Sequence, residues 1–250
     1  MQITTKNISL KLDNICKSPH FCNKNIVMFD IETTGFSKEY AIIYMIGFIY
    51  KKDETYKYCN ILAENPSEEC EIIEYFFEVL KNCNCIIHFN GHQFDIPFLR
   101  SRAEKYKIKD HISNIDSIDI YDLLRPMRKY VSFTNLKLDT IQNELGYQRK
   151  DTSTGGDLIQ IYHYYAKQPY KPYYELLLLH NREDVEGMIY LLPIIDISIL
   201  IDEFIDKENL EALNITQNQD QVSIKYQLPY EMPIDFVLSY RGVQFIFYSH

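Results

Sequence analysis

The chain has 250 residues, of which 46% are hydrophobic and 24% charged, and its formal net charge is −9 at pH 7. This composition is typical of a folded globular protein and excludes a long disordered chain. The acidic balance argues against a protein that coats nucleic acid with a broad basic surface, but it is compatible with an enzyme that has a local nucleic-acid site. Lys, Asp or Glu interrupts every long apolar stretch, so we expect no membrane span.

The six cysteines form no CxxC pair, and no signal-peptide pattern precedes them. We therefore expect free thiols in a reducing cytoplasm rather than a disulfide framework. Cys16, His20 and Cys22 are residue types that bind zinc, but no second ligand pair with matching spacing accompanies them. The sequence thus favours free thiols over a zinc site in this segment.

Hydrophobic periodicity predicts the elements of the first half of the chain. After an irregular start, the apolar run NIVMFDI is typical of a buried central strand, and two further strands should follow as hairpin neighbours. Apolar spacing near 3.6 then predicts helices around one more strand. The predicted strands are Asn25–Ile31, Ala41–Lys51, Thr55–Leu62 and Cys85–Phe89, and the predicted helices are Pro66–Lys81 and Phe94–Lys107.

The second half is predicted to be mainly helical after a fifth strand within Ile115–Leu124. Three helical patterns follow, with breaks at Gly146 and at the Gly155-Gly156 pair, and they cover Phe133–Leu145, Asp157–Ala166 and Pro172–Leu192. From about Asp202 the pattern becomes polar and then alternating, which predicts a β-hairpin. We therefore expect an α/β domain over residues 1–200 and a small β-rich extension over residues 201–250.

Two carboxylates stand at the end of the first predicted strand. Asp30 and Glu32 are two residues apart, and side chains with that spacing point to the same face of a strand. Like charges held together are costly unless cations neutralise them, and carboxylate oxygens suit Mg²⁺ or Mn²⁺. Solvated surface or helix capping is the alternative interpretation of this pair.

Two later segments carry further acidic residues on predicted helices. Asp95 lies in the first turn of a predicted helix that follows Asn90 and Gly91, where it could join the same sheet edge or simply interact with the helix N-terminus. His180 and Asp184 are four residues apart and share one helix face, as a functional pair or as a solvated one.

The segments FDIETTG, NGHQFD and HNRED, in this order, resemble the three exonuclease motifs of the DEDD superfamily of 3′-to-5′ exonucleases, which includes polymerase proofreading domains. The resemblance extends over Asn25–Leu192 and is nearest to the YprB-like ribonuclease H-like branch. It implies a three-layer ribonuclease H-like fold with a five-stranded mixed sheet flanked by helices.

The resemblance also implies a chemistry and a set of site residues. Two divalent cations, Mg²⁺ or Mn²⁺, would be held by four carboxylates, with His180 as the base. The implied ligands are Asp30, Glu32, Asp95 and Asp184. The implied substrate is the 3′ end of single-stranded DNA or RNA, from which nucleoside 5′-monophosphates would be released.

One departure from the family pattern concerns the base. Histidine-type members place His five residues before the last Asp, whereas His180 precedes Asp184 by four, the spacing of tyrosine-type members. His88 and His92, beside the second motif, are alternatives, although a histidine on a strand is more often a core residue. Phe36 could stack on a terminal base or could pack as an ordinary aromatic residue.

Basic stretches could contact phosphates, although solvated surface is the common role for such residues. They comprise Arg100, Arg102, Lys105, Lys107 and Lys109, then Arg125, Arg128 and Lys129, and finally Arg149 and Lys150.

Two other functions are compatible with the motifs. A structure-specific endonuclease could use the same cations, and a nuclease-like fold can become a binding module, usually with a missing carboxylate. All four carboxylates are present here.

Overall fold

The computed structural model describes residues 1–8, 24–52, 55–128, 133–206, 212–218, 221–226, 236–240 and 243–247. The strands within these ranges are β1 Gln2–Ile8, β2 Ile26–Thr33, β3 Ile43–Lys52, β4 Thr55–Leu62, β5 Cys85–His88, β6 Asp116–Asp119, β7 Ala212–Asn218, β8 Gln221–Tyr226, β9 Phe236–Tyr240 and β10 Val243–Phe247. The α-helices are α1 Glu69–Leu80, α2 Asp95–Tyr106, α3 Ile120–Met127, α4 Leu138–Glu144, α5 Gly155–Lys167, α6 Lys171–Leu191 and α7 Pro193–Asp206. Short 3-10 helices cover Pro66–Glu68 and Ile112–Asn114.

The main sheet has six strands in the order β1-β4-β3-β2-β5-β6. The pairs β1/β4, β4/β3 and β3/β2 are antiparallel, whereas β2/β5 and β5/β6 are parallel. The prediction of five strands and an irregular start was wrong, because Gln2–Ile8 pairs along β4 as an edge strand. This edge strand has a mostly polar sequence and exposes much of its surface to solvent. It therefore lacks the hydrophobic periodicity from which a strand is predicted.

Alternate residues of β2 enter two different cores, which gives the predicted three layers. Val27, Phe29 and Ile31 pack on one face of the sheet against α1 and α2. Ile26 and Met28 face the opposite side, where α3, α4, α6 and α7 cover the sheet. Asp30 and Glu32 continue this second series, so the period of two places both carboxylates on the α6 side.

Local hydrogen bonds decide where several helices begin. The hydroxyl of Thr154 accepts from the Asp157 N–H, and the Asp157 carboxylate accepts from the Thr154 N–H at 2.9 Å, which forms a capping box. Gly155 and Gly156, predicted as a break, are therefore the first residues of α5. The strand predicted within Ile115–Leu124 is β6, Asp116–Asp119, and it ends there because the Asp119 carboxylate accepts from the Tyr121 N–H and caps α3. Helix α4 is shorter than predicted, beginning at Leu138.

The C-terminal part of the chain forms two antiparallel hairpins, β7/β8 and β9/β10, where one hairpin was predicted. Helix α7 reaches Asp206 and thus runs across the predicted boundary at residue 200. The division into two domains stays a prediction. In the part of the chain that the structure describes, no helix combines the length and apolar character needed to cross a bilayer.

Candidate metal centre

The centre begins where β2 extends beyond its parallel neighbour. Pairing of β2 with β5 ends at Met28, whereas β2 continues to Thr33. The Ile31 N–H, on the edge that β5 has left, donates to Asp95 Oδ1 at 3.1 Å. Asp95 is 5% exposed in the first turn of α2. The second motif therefore contributes its carboxylate directly beside Asp30 and Glu32.

Helix α6 brings the third motif across the same end of β2. His180 Nε2 lies 3.2 Å from Asp184 Oδ2 and 3.8 Å from Glu32 Oε1. One donor or acceptor atom from each of Glu32, His180 and Asp184 falls within 4.8 Å of the others. The structure thus brings together all five residues named from the sequence: Asp30, Glu32, Asp95, His180 and Asp184.

Hydrogen bonds of Asn181 connect α6 to the centre of the sheet. Its amide Nδ2 donates to Asp30 Oδ2 at 3.2 Å, and its Oδ1 accepts from Asn60 Nδ2 at 2.9 Å and from the Tyr58 hydroxyl at 3.2 Å. This close approach requires Gly47 on β3, since a Cβ there would lie 1.8 Å from Asn181 Oδ1. A larger residue at position 47 would push α6, and with it His180, away from Asp30.

The carboxylates of the candidate metal centre have too little positive charge around them to balance their own negative charge. Burial raises the pKa of Asp30, and the neighbouring Asp95, Asp184 and Glu32 raise it further. Burial is also the main cause that raises the pKa of Glu32 to about 8, and His180 only partly opposes it. The pKa of Asp95 is raised to about 7, again by burial first. Buried oxygen ligands in this state are the donor set that a hard divalent cation needs, so the residues fit Mg²⁺ or Mn²⁺.

Asp151 was missed by sequence reasoning because it lies in a loop without a motif. Its Oδ2 is 2.6 Å from His180 Nδ1, and its side chain is 3% exposed. Burial would lower the pKa of His180, but Asp184, Glu32 and Asp151 outweigh it and raise that pKa. Asp151 thereby fixes the ring with Nδ1 as a donor and leaves Nε2 toward Asp184 and Glu32.

Arg149 is the second residue of the centre that the motifs did not identify. Its guanidinium contacts the Asp184 carboxylate and donates to Gln142 Oε1 at 3.0 Å. Gln142 Nε2 in turn donates to the backbone oxygens of Glu183 and Asp184. The only sequence signal was membership of a short basic stretch, and the structure shows that Arg149 orients a metal-ligand candidate.

Several other residues named from the sequence lie outside the candidate metal centre. Phe36 is 88% exposed, and its ring lies 6.1 Å from that of Phe94 at the edge of the loop after β2, so it is not a core residue. Arg102 is buried and donates to Glu69 Oε1 at 2.7 Å, which removes it from the possible phosphate contacts. His88 and His92 belong to a separate cluster around Asp119. Cys16, His20, Cys22 and Lys129 lie outside the described residues.

Comparison with known proteins agrees with the fold. A family model described as RNase_H superfamily matches residues 27–195. The chain is 28% identical over 170 residues to a DNA polymerase III PolC-type of Mycoplasma genitalium, covering 57% of this chain and 11% of the relative. It is 32% identical over 104 residues to a DNA polymerase of Autographa californica nuclear polyhedrosis virus, covering 32% of this chain and 11% of the relative. It therefore spans about a tenth of the length of these relatives.

A solved structure, that of the family B DNA polymerase from the hyperthermophilic archaeon Pyrobaculum calidifontis, superposes with a TM-score of 0.52 and 16% identity. The match covers 66% of this chain and 24% of the polymerase. Together with the family-model match, it confirms the predicted ribonuclease H-like α/β fold class, with six strands in place of five.

Proposed function

Since the chain belongs to the RNase_H superfamily, we propose that it is a metal-dependent nuclease that hydrolyses phosphodiester bonds. The observation that carries the proposal is the convergence of Asp30, Glu32, Asp95 and Asp184 from three segments of the chain on one end of β2. Carboxylates buried together without enough positive charge are unfavourable in the metal-free protein. Binding of cations removes this cost, because their positive charge neutralises the carboxylates.

Two divalent cations, Mg²⁺ or Mn²⁺, would activate the attacking water and neutralise charge on the leaving oxygen. Asp30, Glu32 and Asp184 would hold them, with Asp95 completing the set from α2. His180 Nε2 faces Asp184 and Glu32, so it would accept the proton of the attacking water. Asp151 would hold the opposite nitrogen of the ring and stabilise the imidazolium that forms.

We further propose that the substrate is the 3′ end of single-stranded DNA or RNA and that the products are nucleoside 5′-monophosphates. The order and content of the three motifs support this choice. The loop that follows β2, the strand of Asp30 and Glu32, has two exposed aromatic side chains, Phe36 at 88% and Tyr40 at 82% exposure. Unpaired bases stack on such side chains without sequence preference, so the loop would hold a terminal nucleotide.

The test uses single-stranded DNA and RNA labelled at the 5′ end, incubated with the protein and Mg²⁺ or Mn²⁺. We expect metal-dependent shortening from the 3′ end and loss of activity in Asp184→Asn. Glu175→Gln, an exposed carboxylate change on the same helix, should retain full activity.

The products distinguish the competing functions. Mononucleotides support an exonuclease, whereas longer fragments identify a structure-specific endonuclease. Binding of oligonucleotides without any cleavage, under every metal condition, would identify a binding module. Equal cleavage by wild type and Asp184→Asn would assign the activity to a contaminant and contradict the proposal.

A further inference from the structure

We propose that His88, His92 and Asp119, joined by Asp122 at the exposed side, form a zinc-binding site separate from the candidate metal centre. The proposal does not depend on nuclease activity. It concerns the turn between β5 and α2, which carries the second motif, and the junction between β6 and α3.

The backbone places the four side chains together. His88 and Asp119 are partners in the parallel ladder between β5 and β6. His92 lies in the turn after β5, and its own N–H donates to Asp119 Oδ2 at 2.9 Å. Asp122 is in the first turn of α3 and approaches His92 Nδ1 at 2.8 Å. The positions of His88, His92 and Asp119 are therefore set by sheet pairing or by a backbone hydrogen bond, and that of Asp122 by the first turn of α3.

The distances suit a tetrahedral ion. His88 Nδ1 and His92 Nδ1 lie 3.4 Å and 3.7 Å from Asp119 Oδ2. Zinc bonds of about 2.0–2.2 Å to nitrogen and oxygen place neighbouring ligands of a tetrahedron roughly 3.3–3.6 Å apart. One ligand atom from each of His88, His92 and Asp119 lies within 4.8 Å of the others. Small side-chain adjustments would complete the coordination.

A buried nitrogen points to a missing partner. His88 is fully buried, and its Nδ1 forms no hydrogen bond of good geometry among the described residues, although Asp119 Oδ2 lies 3.4 Å away. The Asp119 carboxylate already accepts three backbone N–H groups, from Asn90, Tyr121 and His92. It retains lone-pair capacity on the side of the two histidines. A cation between these groups would satisfy both the nitrogen and the carboxylate.

The hydrogen bonds of Ser117 also support a metal ion between His88 and His92. Its Oγ lies 2.8 Å from His88 Nε2 and 2.9 Å from His92 Nε2. If both neutral rings carry their proton on Nδ1, facing the carboxylates, both Nε2 atoms are acceptors and compete for the single hydroxyl proton. If a metal ion binds both Nδ1 atoms, both Nε2 atoms carry protons and donate to the lone pairs of Ser117. This is the usual arrangement around metal-bound histidines.

The types of donor atom favour one kind of ion, and the exposed side chains of the site give that ion access from solvent. Imidazole nitrogens combined with carboxylate oxygens favour Zn²⁺ over Mg²⁺. The side chains of His92 and Asp122 are 37% and 36% exposed, so the ion can enter from solvent on that side. Because His92 precedes Asp95 by three residues, bound zinc would also hold the turn that positions Asp95.

The test starts from protein stripped of metal with a chelator and titrates it with Zn²⁺ by calorimetry, in competition with a chelator of known affinity. We expect one tight site in wild type that persists in Asp184→Asn. His92→Gln and Asp122→Asn change exposed side chains and should fold normally, and each should weaken that site by at least about tenfold. His163→Gln, an exposed histidine on α5, is the matched control and should bind as wild type. Substitution of Co²⁺ should give the visible absorption of tetrahedral coordination in wild type, Asp184→Asn and His163→Gln, and this absorption should be weakened or lost in His92→Gln and Asp122→Asn.

Three outcomes would overturn the proposal. The first is zinc binding by His92→Gln with unchanged affinity. The second is loss of tight zinc binding in Asp184→Asn, which would place the ion in the candidate metal centre. The third is the absence of a tight zinc site in wild type. None of these results depends on whether the protein cleaves nucleic acid.

Discussion

Asp119 at the end of β6 accepts three backbone hydrogen bonds, whereas Asp30 at the end of β2 accepts one hydrogen bond that the structure describes, from Asn181. Both carboxylates are largely removed from solvent, so burial raises both pKa values. For Asp119, His88 and the backbone donors outweigh burial and lower the pKa to about 2. For Asp30, three nearby carboxylates add to burial and raise the pKa.

This difference distinguishes a carboxylate that the protein itself stabilises as an anion from carboxylates that depend on a cation. A buried carboxylate with several N–H donors is stabilised as an anion by the protein itself. A group of carboxylates with few donors is stabilised only when a proton or a cation arrives. Asp119 therefore stabilises the fold with or without a bound ion, whereas Asp30 and Glu32 reduce the stability of the metal-free chain.

The largest expected effect tests Asp30. Asp30→Asn retains the shape of the side chain and can still accept from Asn181, but it removes one negative charge from the candidate centre. We expect nuclease activity to fall by about a hundredfold to a thousandfold, because several kcal/mol of transition-state stabilisation through the cations is lost. The melting temperature of the metal-free variant should rise at neutral pH. Lower stability together with lower activity would mean that Asp30 is structural.

The converse change tests Asp119. Asp119→Ala leaves three backbone N–H groups without their acceptor and removes the cap of α3. We expect a loss of about 3 kcal/mol or more in the free energy of unfolding, measured by urea denaturation in the presence of a chelator. Asp116→Ala, an exposed change on the same strand, should cost little. Equal stability of the two variants would contradict the structural role of Asp119.

The pH dependence of stability gives a third, smaller effect. The pKa of Glu32 is raised from its usual 4.5 to about 8, so folding favours its protonated form. Its stabilisation is complete below the usual pKa and is lost as the pH rises toward about 8. We expect the melting temperature of the metal-free protein to fall by a few degrees across this window and to recover with Mn²⁺. Glu32→Gln should flatten the profile, and an identical slope in that variant would refute the explanation.

The smallest expected effect concerns the position of the base. Asp151→Asn removes the charge that holds His180 Nδ1 but leaves the carboxylate ligands in place. We expect kcat to decrease by about tenfold with little change in KM, and the acidic limb of the pH–rate profile to move to lower pH, because the imidazolium loses a stabilising partner. Asp139→Asn, an exposed change in α4, serves as the control. An unchanged pH profile would limit Asp151 to a packing role.

Much of the central fold followed from local patterns. The apolar run of β2, the hairpin strands after it and the 3.6-residue spacing in α1 and α6 are strong local signals, and α6 was predicted to within one residue at each end. Edge strand β1 and the start of α5 were missed. The first depends on a distant partner strand, and the second on the reciprocal hydrogen bonds of Thr154 and Asp157.

By itself, the sequence determined which carboxylates could form a centre, because strand alternation couples Asp30 to Glu32 and helical spacing couples His180 to Asp184. Only the tertiary structure decided what surrounds them. Asp151 and Arg149 reach the centre from a loop about thirty residues away in the chain. Hydrogen-bond donors and burial come from such distant contacts, and these contacts make Asp119 a stabilised anion and leave Asp30 in need of a cation.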